Sequence, residues 1–172
     1  NDPQIIAGQG KLAIELLDQL HRLDVVYVSI GGGGLISGIG SVLKAFSPKT
    51  RVVGVSAKNS AELAASIRAG KMVKVDHHET LADGCAGGVD SDTITLGLGT
   101  EVIDDLIDCS EKQIVSGLQQ IAWSEKMLVE GSAGLAYAAW QEDARKNNNK
   151  ISAVVLCGAN FDKETLSPIV NL

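Results

Sequence analysis

Four consecutive glycines interrupt an apolar stretch of this chain, in the run VVYVSIGGGGLISGIGSVLK at residues 25–44. The β-branched residues before them are typical of a buried strand, and the apolar residues after them have helical spacing. Glycine loses more backbone freedom on folding than any other residue, so four in a row are costly to order. The sequence therefore predicts a strand, a tight turn and a helix, with something packed close against the turn.

Such a turn favours an anion, because backbone N–H groups and the positive end of the helix dipole converge there. The dinucleotide motif G-x-G-x-x-G is absent, since Ile36 or Ser37 stands where its third glycine would be. A P-loop is excluded as well, because no Gly-Lys-Ser/Thr follows. A single phosphate group remains as the favoured ligand. The alternative, a tightly packed turn without a ligand, would need only one such glycine.

Strand-like and helix-like segments alternate along the chain. Buried strands are predicted at residues 25–30, 51–56 and 151–156, with a weaker one at 106–109. Helices are predicted at residues 11–20, 35–46, 61–69, 111–127 and 132–144. Residues 70–92 form a long glycine-rich loop, and residues 146–150 a surface connection. The alternation predicts one α/β domain over residues 1–172, with a mostly parallel sheet in three layers and helices on both faces.

Composition limits the partners that this chain is expected to have. The formal net charge is −6, and aromatic residues make up only 3% of the chain, which argues against nucleic acid. No apolar stretch has the length of a membrane span. The cysteines are odd in number and form no C-x-x-C pair, as is typical of reduced thiols in a cytoplasmic protein.

Several motifs occur in the order in which one enzyme family has them. NDPQIIAGQGK precedes the glycine turn, and TLADG at 80–84, EGSAG at 130–134 and CGAN at 157–160 follow it. Together they resemble the serine/threonine dehydratases and serine racemases, which use pyridoxal phosphate and share the tryptophan-synthase β fold (fold type II). The resemblance covers nearly the whole chain. It implies the C-terminal portion of a large, cofactor-binding domain.

The resemblance also implies which residues hold pyridoxal 5′-phosphate. The backbone of the glycine turn would bind the phosphate, Glu130 would lie near the ring, and Cys157 would meet the pyridine nitrogen in place of the usual serine. A thiol does not keep that nitrogen protonated, so the ring is a weaker electron sink, which suits β-elimination. Without the glycine turn, Cys157 would be interpreted as a small buried hydrophobe. The implied cofactor-binding residues are Gly31, Gly32, Gly33, Gly34, Leu35, Glu130 and Cys157.

The lysine that forms the family's Schiff base has no counterpart in this chain. In the family it lies far upstream of the glycine turn, within S-x-K-x-R. Lys49 in SPKTR matches that spacing, but it precedes a predicted strand. It would therefore lie roughly 20 Å from the carboxyl edge of the sheet, where ligands bind. We expect the lysine in a missing N-terminal half, no catalytic residue in this chain, and no activity of the chain alone.

No metal is expected. Serine racemases and some relatives bind a divalent metal through an acid just after the second strand and another acid six residues on. Ser56 and Glu62 stand at those positions, so one charged ligand is lost. The adjacent histidines of DHHE at residues 76–79 are a weak alternative, because neighbouring side chains point in different directions. Asp83 in TLADG has either a role beside the site or a role in a turn.

The activity implied by the resemblance is dehydration and deamination of a β-hydroxy amino acid, such as threonine or serine, to a 2-oxo acid and ammonia. Racemisation is the alternative within the family, because it needs the same proton abstraction plus an acid on the opposite face. A non-catalytic module that binds a phosphorylated ligand is the alternative outside it. The expected partners are the amino-acid substrate, the N-terminal half of the protein and a second copy in a homodimer.

Overall fold

The computed structural model describes residues 1–144 and 148–171. The strands are β1 (Val25–Ser29), β2 (Arg51–Ala57), β3 (Asp105–Cys109) and β4 (Ser152–Val154). They form one sheet in the order β3–β2–β1–β4, and every pair of neighbours is parallel. In the register, Val26 of β1 lies beside Val52 on one side and Ala153 on the other.

Of the described α-helices, two precede β1, one follows β4, and the other five connect consecutive strands. The helices are α1 (Pro3–Gln9), α2 (Lys11–Gln19), α3 (Gly34–Phe46), α4 (Glu62–Ala69), α5 (Ile94–Val102), α6 (Glu111–Gln120), α7 (Gly131–Asp143) and α8 (Lys163–Val170). None of the described helices has the length and apolar character needed to span a bilayer. A capping box precedes α6, in which the N–H of Ser110 donates to Oε1 of Gln113 at 2.8 Å.

Apolar side chains cover both faces of the sheet. Every residue of β1 is buried, and successive side chains of a strand point to opposite faces. Tyr27 belongs to the core with α6, α7 and α8, whereas Val26 and Val28 belong to the core with α2, α3 and α4. The predicted three-layer α/β fold is therefore confirmed.

The predicted helix at 111–127 is wrong at its C-terminal end. The α-helix ends at Gln120 and is followed by a π-helical turn over Ile121–Glu125. Lys126 then adopts a left-handed conformation with φ 59°, which ends the helix. The predicted strand at 151–156 is confirmed as the shorter β4.

The sequence pattern does not predict α1, α5 or α8. Each follows a residue that caps helices well. Asp2 accepts a hydrogen bond from the N–H of Gln4 at 2.8 Å before α1, Thr93 precedes α5, and Asp162 precedes α8. Residues 146 and 147 of the predicted surface connection lie outside the described residues.

Candidate functional site

The glycine turn lies at the carboxyl edge of the sheet, between β1 and α3. Gly33 immediately precedes α3 with φ 83°, which glycine adopts freely, and a Cβ there would overlap Leu63. A Cβ on Gly31 would lie 3.0 Å from Cα of Cys85. Backbone conformation therefore already favours glycine at Gly33, and close packing against Cys85 favours it at Gly31.

Gly32 and Gly34 are under no such constraint. Neither has a positive φ. A Cβ on Gly32 would meet no described atom within 4 Å, and one on Gly34 would meet only Ile6, at 3.9 Å. The space in front of these two residues lies at the N-terminus of α3, where N–H groups and the helix dipole favour an anion. The unfilled space fits a phosphate group, and we call the turn from Gly31 to Gly34 the cradle.

The cradle lines a cavity of about 270 Å³. All seven residues that the sequence predicts to hold the cofactor contribute to this lining, although they come from three separate motifs. Ser29, Gly84, Cys85 and Ser132 line it too, and the sequence reasoning missed them. Motif boundaries were the available signal for three of these four, because Gly84 and Ser132 belong to TLADG and EGSAG, and Cys85 directly follows TLADG.

Cys157 follows β4 and lines the cavity together with the cradle. It is exposed, so its interpretation as a buried hydrophobe is wrong. Although the residue as a whole is exposed, surrounding atoms shield its thiol from water, and this desolvation, together with Cys85 and Glu130 nearby, raises the pKa of Cys157 to about 11. The thiol is therefore protonated at neutral pH and has a hydrogen to donate.

The carboxylate of Glu130 is held in place by the CGAN motif. Its Oε2 accepts a hydrogen bond from the N–H of Asn160 at 2.8 Å. The N–H of Glu130 donates to the carbonyl of Gly158 at 3.2 Å. A Cβ on Gly158 would lie 2.6 Å from the carboxyl carbon of Glu130, so a side chain at this position would push the carboxylate out of its place. The EGSAG and CGAN motifs thus form one interlocked unit.

TLADG reaches the same cavity from the segment between α4 and α5. Oδ1 of Asp83 accepts a hydrogen bond from the N–H of Gly84 at 2.8 Å, at the start of a short 3-10 turn over Asp83–Cys85. This contact gives Asp83 a role in the turn. Cys85 is buried, and burial raises the pKa of its thiol.

No lysine occurs among the described residues that line the cavity. Lys49 lies in the turn before β2, at the opposite end of the strands, as predicted. Within residues 1–144 and 148–171, no three His, Cys, Asp or Glu side chains are placed to hold a metal together.

Comparison with known proteins gives the family. The model of the pyridoxal-phosphate dependent enzyme family matches residues 1–158. An L-threonine ammonia-lyase of Thermotoga maritima is 33% identical over 171 residues, which are 99% of this chain and 42% of that protein. A serine racemase of Arabidopsis thaliana is 32% identical over 171 residues, covering 96% of this chain and 51% of that protein.

The fold agrees with this assignment. The processed form of threonine deaminase isoform 2 from Solanum lycopersicum matches with a TM-score of 0.89 at 28% identity, covering 99% of this chain and 50% of that one. The chain thus spans about half the length of the curated relatives it matches. On sequence and fold together, the chain belongs to the family of pyridoxal-phosphate-dependent enzymes of fold type II.

Proposed function

We propose that this chain is the cofactor-binding part of a lyase that converts a β-hydroxy amino acid, such as threonine or serine, into a 2-oxo acid and ammonia. One observation carries the proposal: an anion cradle with unfilled space at Gly32 and Gly34 shares a cavity with the protonated thiol of Cys157. Similarity to an L-threonine ammonia-lyase supports the choice of reaction.

The residues of the cavity have separate tasks in this proposal. The backbone of Gly31, Gly32, Gly33, Gly34 and Leu35 binds the phosphate of pyridoxal 5′-phosphate through N–H groups and the dipole of α3. The thiol of Cys157 would donate its hydrogen to the pyridine nitrogen without transferring the proton. The carboxylate of Glu130, which contacts Asn160 and Gly158, would face the ring.

Pyridoxal phosphate, when bound, supplies an electron-withdrawing ring that stabilises the negative charge left at the α-carbon of the substrate. A neutral thiol at the pyridine nitrogen limits that stabilisation, which favours prompt loss of the β-hydroxyl. The α-proton and the β-hydroxyl leave as water, and hydrolysis of the released enamine gives the 2-oxo acid and ammonia.

The remaining parts of the enzyme are proposed to lie outside this chain. The relatives are about twice as long, and we place the lysine that accepts the α-proton, and the residues that grip the substrate carboxylate, in an N-terminal half. The chain alone would then be inactive. A second copy in a homodimer is the proposed assembly of the whole protein.

Racemisation is the second candidate, because a serine racemase is nearly as similar to this chain as the L-threonine ammonia-lyase is. The full-length protein with pyridoxal phosphate should be given L-threonine and L-serine in separate reactions. The proposed lyase forms 2-oxobutanoate and pyruvate, detected as their dinitrophenylhydrazones, together with an equal amount of ammonia. If a chiral column detects D-serine and no oxo acid is formed, the protein is a racemase and the proposed lyase activity is wrong. If neither D-serine nor an oxo acid is formed, both proposed activities are contradicted.

A further inference from the structure

The carboxylate of Glu62 is a buried charge that has no role in the proposed function as described above. Glu62 begins α4, and its side chain is only 1% exposed. It accepts hydrogen bonds from the N–H of Val89 at 3.0 Å, from Nζ of Lys74 at 3.1 Å and from Nε2 of His77 at 3.0 Å. The Val89 N–H foremost, and then His77 and Lys74, lower the pKa of Glu62 to about 2, so the carboxylate is charged.

All three partners of Glu62 belong to one segment, residues 71–93, which connects α4 with α5. Apart from the turn Asp83–Cys85, its described backbone forms no regular helix or strand. Ser60 adds two further attachments, because its Oγ lies 2.8 Å from Nδ1 of His77 and accepts the N–H of Gly87 at 3.0 Å. A buried carboxylate is strongly unfavourable without partners, so these bonds fasten the segment to the start of α4.

The residues that bind Glu62 flank, in the sequence, a turn that forms one wall of the cavity. Lys74 and His77 precede the turn that contains Gly84 and Cys85, and Val89 follows it. Gly84 and Cys85 line the cavity, and Cα of Cys85 packs against Gly31 of the cradle.

The start of α4 also supports the cradle directly. Leu63, the residue after Glu62, packs against Gly33 so closely that a Cβ on Gly33 would overlap it. Glu62 thus links two parts of the cavity, the cradle on one side and the Gly84–Cys85 wall on the other.

We propose that Glu62 is a positioning residue for the cofactor: it fastens the 71–93 segment through Lys74, His77 and Val89 and so holds the Gly84–Cys85 wall against the cradle. This role rests on the proposed function, since it presumes that the cavity binds pyridoxal phosphate. Lys74 is the most accessible of the contacts, with a side chain 77% exposed, so its charge can be removed without leaving a hole in the core.

The experiment uses the full-length protein and four substitutions, one of which is a control. Glu62→Gln keeps the size of the side chain and an acceptor for Val89 but loses the charge. Lys74→Met loses the ammonium, whereas Lys74→Arg retains a cation. Glu79→Gln is the matched control, because it removes an exposed carboxylate from the same segment.

Two quantities are measured: the Kd for pyridoxal phosphate, from an absorbance titration, and amide hydrogen exchange of residues 83–89. If the wall is closed in only about a tenth of the molecules, the Kd rises about tenfold in Glu62→Gln and Lys74→Met. Exchange at 83–89 accelerates in the same two variants. The Kd of Lys74→Arg and of Glu79→Gln stays within about twofold of the wild-type value, because the first keeps the cation beside Glu62 and the second removes a charge that does not contact Glu62.

A merely structural role for Glu62 would give a different pattern. Exchange would then accelerate in β1 and β2 as much as at 83–89, and this result would overturn the proposal. Unchanged affinity in both Glu62→Gln and Lys74→Met would overturn it too. If the wild type itself bound no pyridoxal phosphate, the proposed function would fail and this role with it, whereas loss of the effect in the variants alone leaves the proposed function intact.

Discussion

Gly32 and Gly34 differ from their two neighbours in what the protein requires of them. Gly31 and Gly33 are fixed by close packing and, at Gly33, by a positive φ. Beyond its chain neighbours, an added Cβ on Gly32 would meet no described atom within 4 Å, and one on Gly34 would meet only Ile6, at 3.9 Å. The sequence shows four equivalent glycines, and only the three-dimensional environment separates the two that serve the fold from the two that leave room for a ligand.

The thiol of Cys157 provides a test at the scale of one residue. Because its pKa is raised to about 11, deprotonation and alkylation should increase as the pH rises toward that value. The rate of iodoacetamide labelling of Cys157, followed by peptide mass spectrometry on the full-length protein without cofactor, should rise almost tenfold per pH unit between about pH 8 and pH 10. A rate that levels off near pH 9 would show an ordinary thiol and contradict the environment described for Cys157.

The seven residues predicted to hold the cofactor share one cavity, and each of them belongs to or directly follows a short motif with its own local signal. The contacts of Glu62 could not be predicted from sequence, since Lys74, His77 and Val89 are brought to it by a segment without periodic structure. Their approach depends on how residues 71–93 fold back over α4, and no spacing rule encodes that path. The contact between Ser29 and Ser132 could not be predicted either. The hydroxyl of Ser29 donates to the carbonyl of Ser132 at 2.6 Å, although the two residues are 103 positions apart in the sequence.

Among the elements, α6 and α7 cover one face of the sheet and pack closely through small residues. A Cβ on Gly117 would lie 2.6 Å from the carbonyl oxygen of Gly134 and 3.2 Å from the backbone nitrogen of Ala138. Both contacted atoms belong to the backbone of α7, which cannot rotate away as a side chain can. Correct seating of α7 matters for the cavity, because Glu130 immediately precedes this helix and Ser132 lies in its first turn.

Alanine substitutions at two glycines test this packing. Gly117→Ala should lower the free energy of unfolding by about 1–3 kcal/mol, because overpacking forces the two helices apart. Gly97→Ala is the matched control: it lies in α5 with no described atom within 4 Å of its added Cβ, and it should raise stability by roughly 0.5–1 kcal/mol.

The measurement is urea unfolding of the two full-length variants beside the wild type, followed by circular dichroism. Equal effects of the two substitutions would show that α6 and α7 are not in backbone contact at Gly117.

The elements that the sequence predicts are the strands and five of the helices, which stand out as apolar runs between turns. Of the helices α1, α5 and α8, the last two are no shorter than α4, which the sequence does predict, so length alone does not explain why they were missed; the capping residues were the local signal for all three. The end of α6 was missed because apolar residues continue through the π-helical turn that follows it.

For the whole molecule, the parallel sheet is what unites the site. Motifs that begin at residues 31, 80, 130 and 157 are far apart in the chain, yet they meet in one cavity at the carboxyl edge of the strands. This arrangement supports the proposal that the chain binds the cofactor and that the reactive lysine lies in another part of the protein. In that proposal the cradle binds the phosphate of pyridoxal phosphate.

The most direct test is a titration of the full-length protein with pyridoxal phosphate, followed by the circular dichroism of the bound cofactor. Gly32→Asp places a carboxylate in the unfilled space of the cradle, whereas Gly97→Asp places one at an equally open site outside the cavity. We expect saturable binding in the wild type and in Gly97→Asp. In Gly32→Asp the affinity should be at least about a hundredfold lower, because a carboxylate beside a phosphate costs several kcal/mol. Equal affinity in the two variants would contradict the assignment of the cradle.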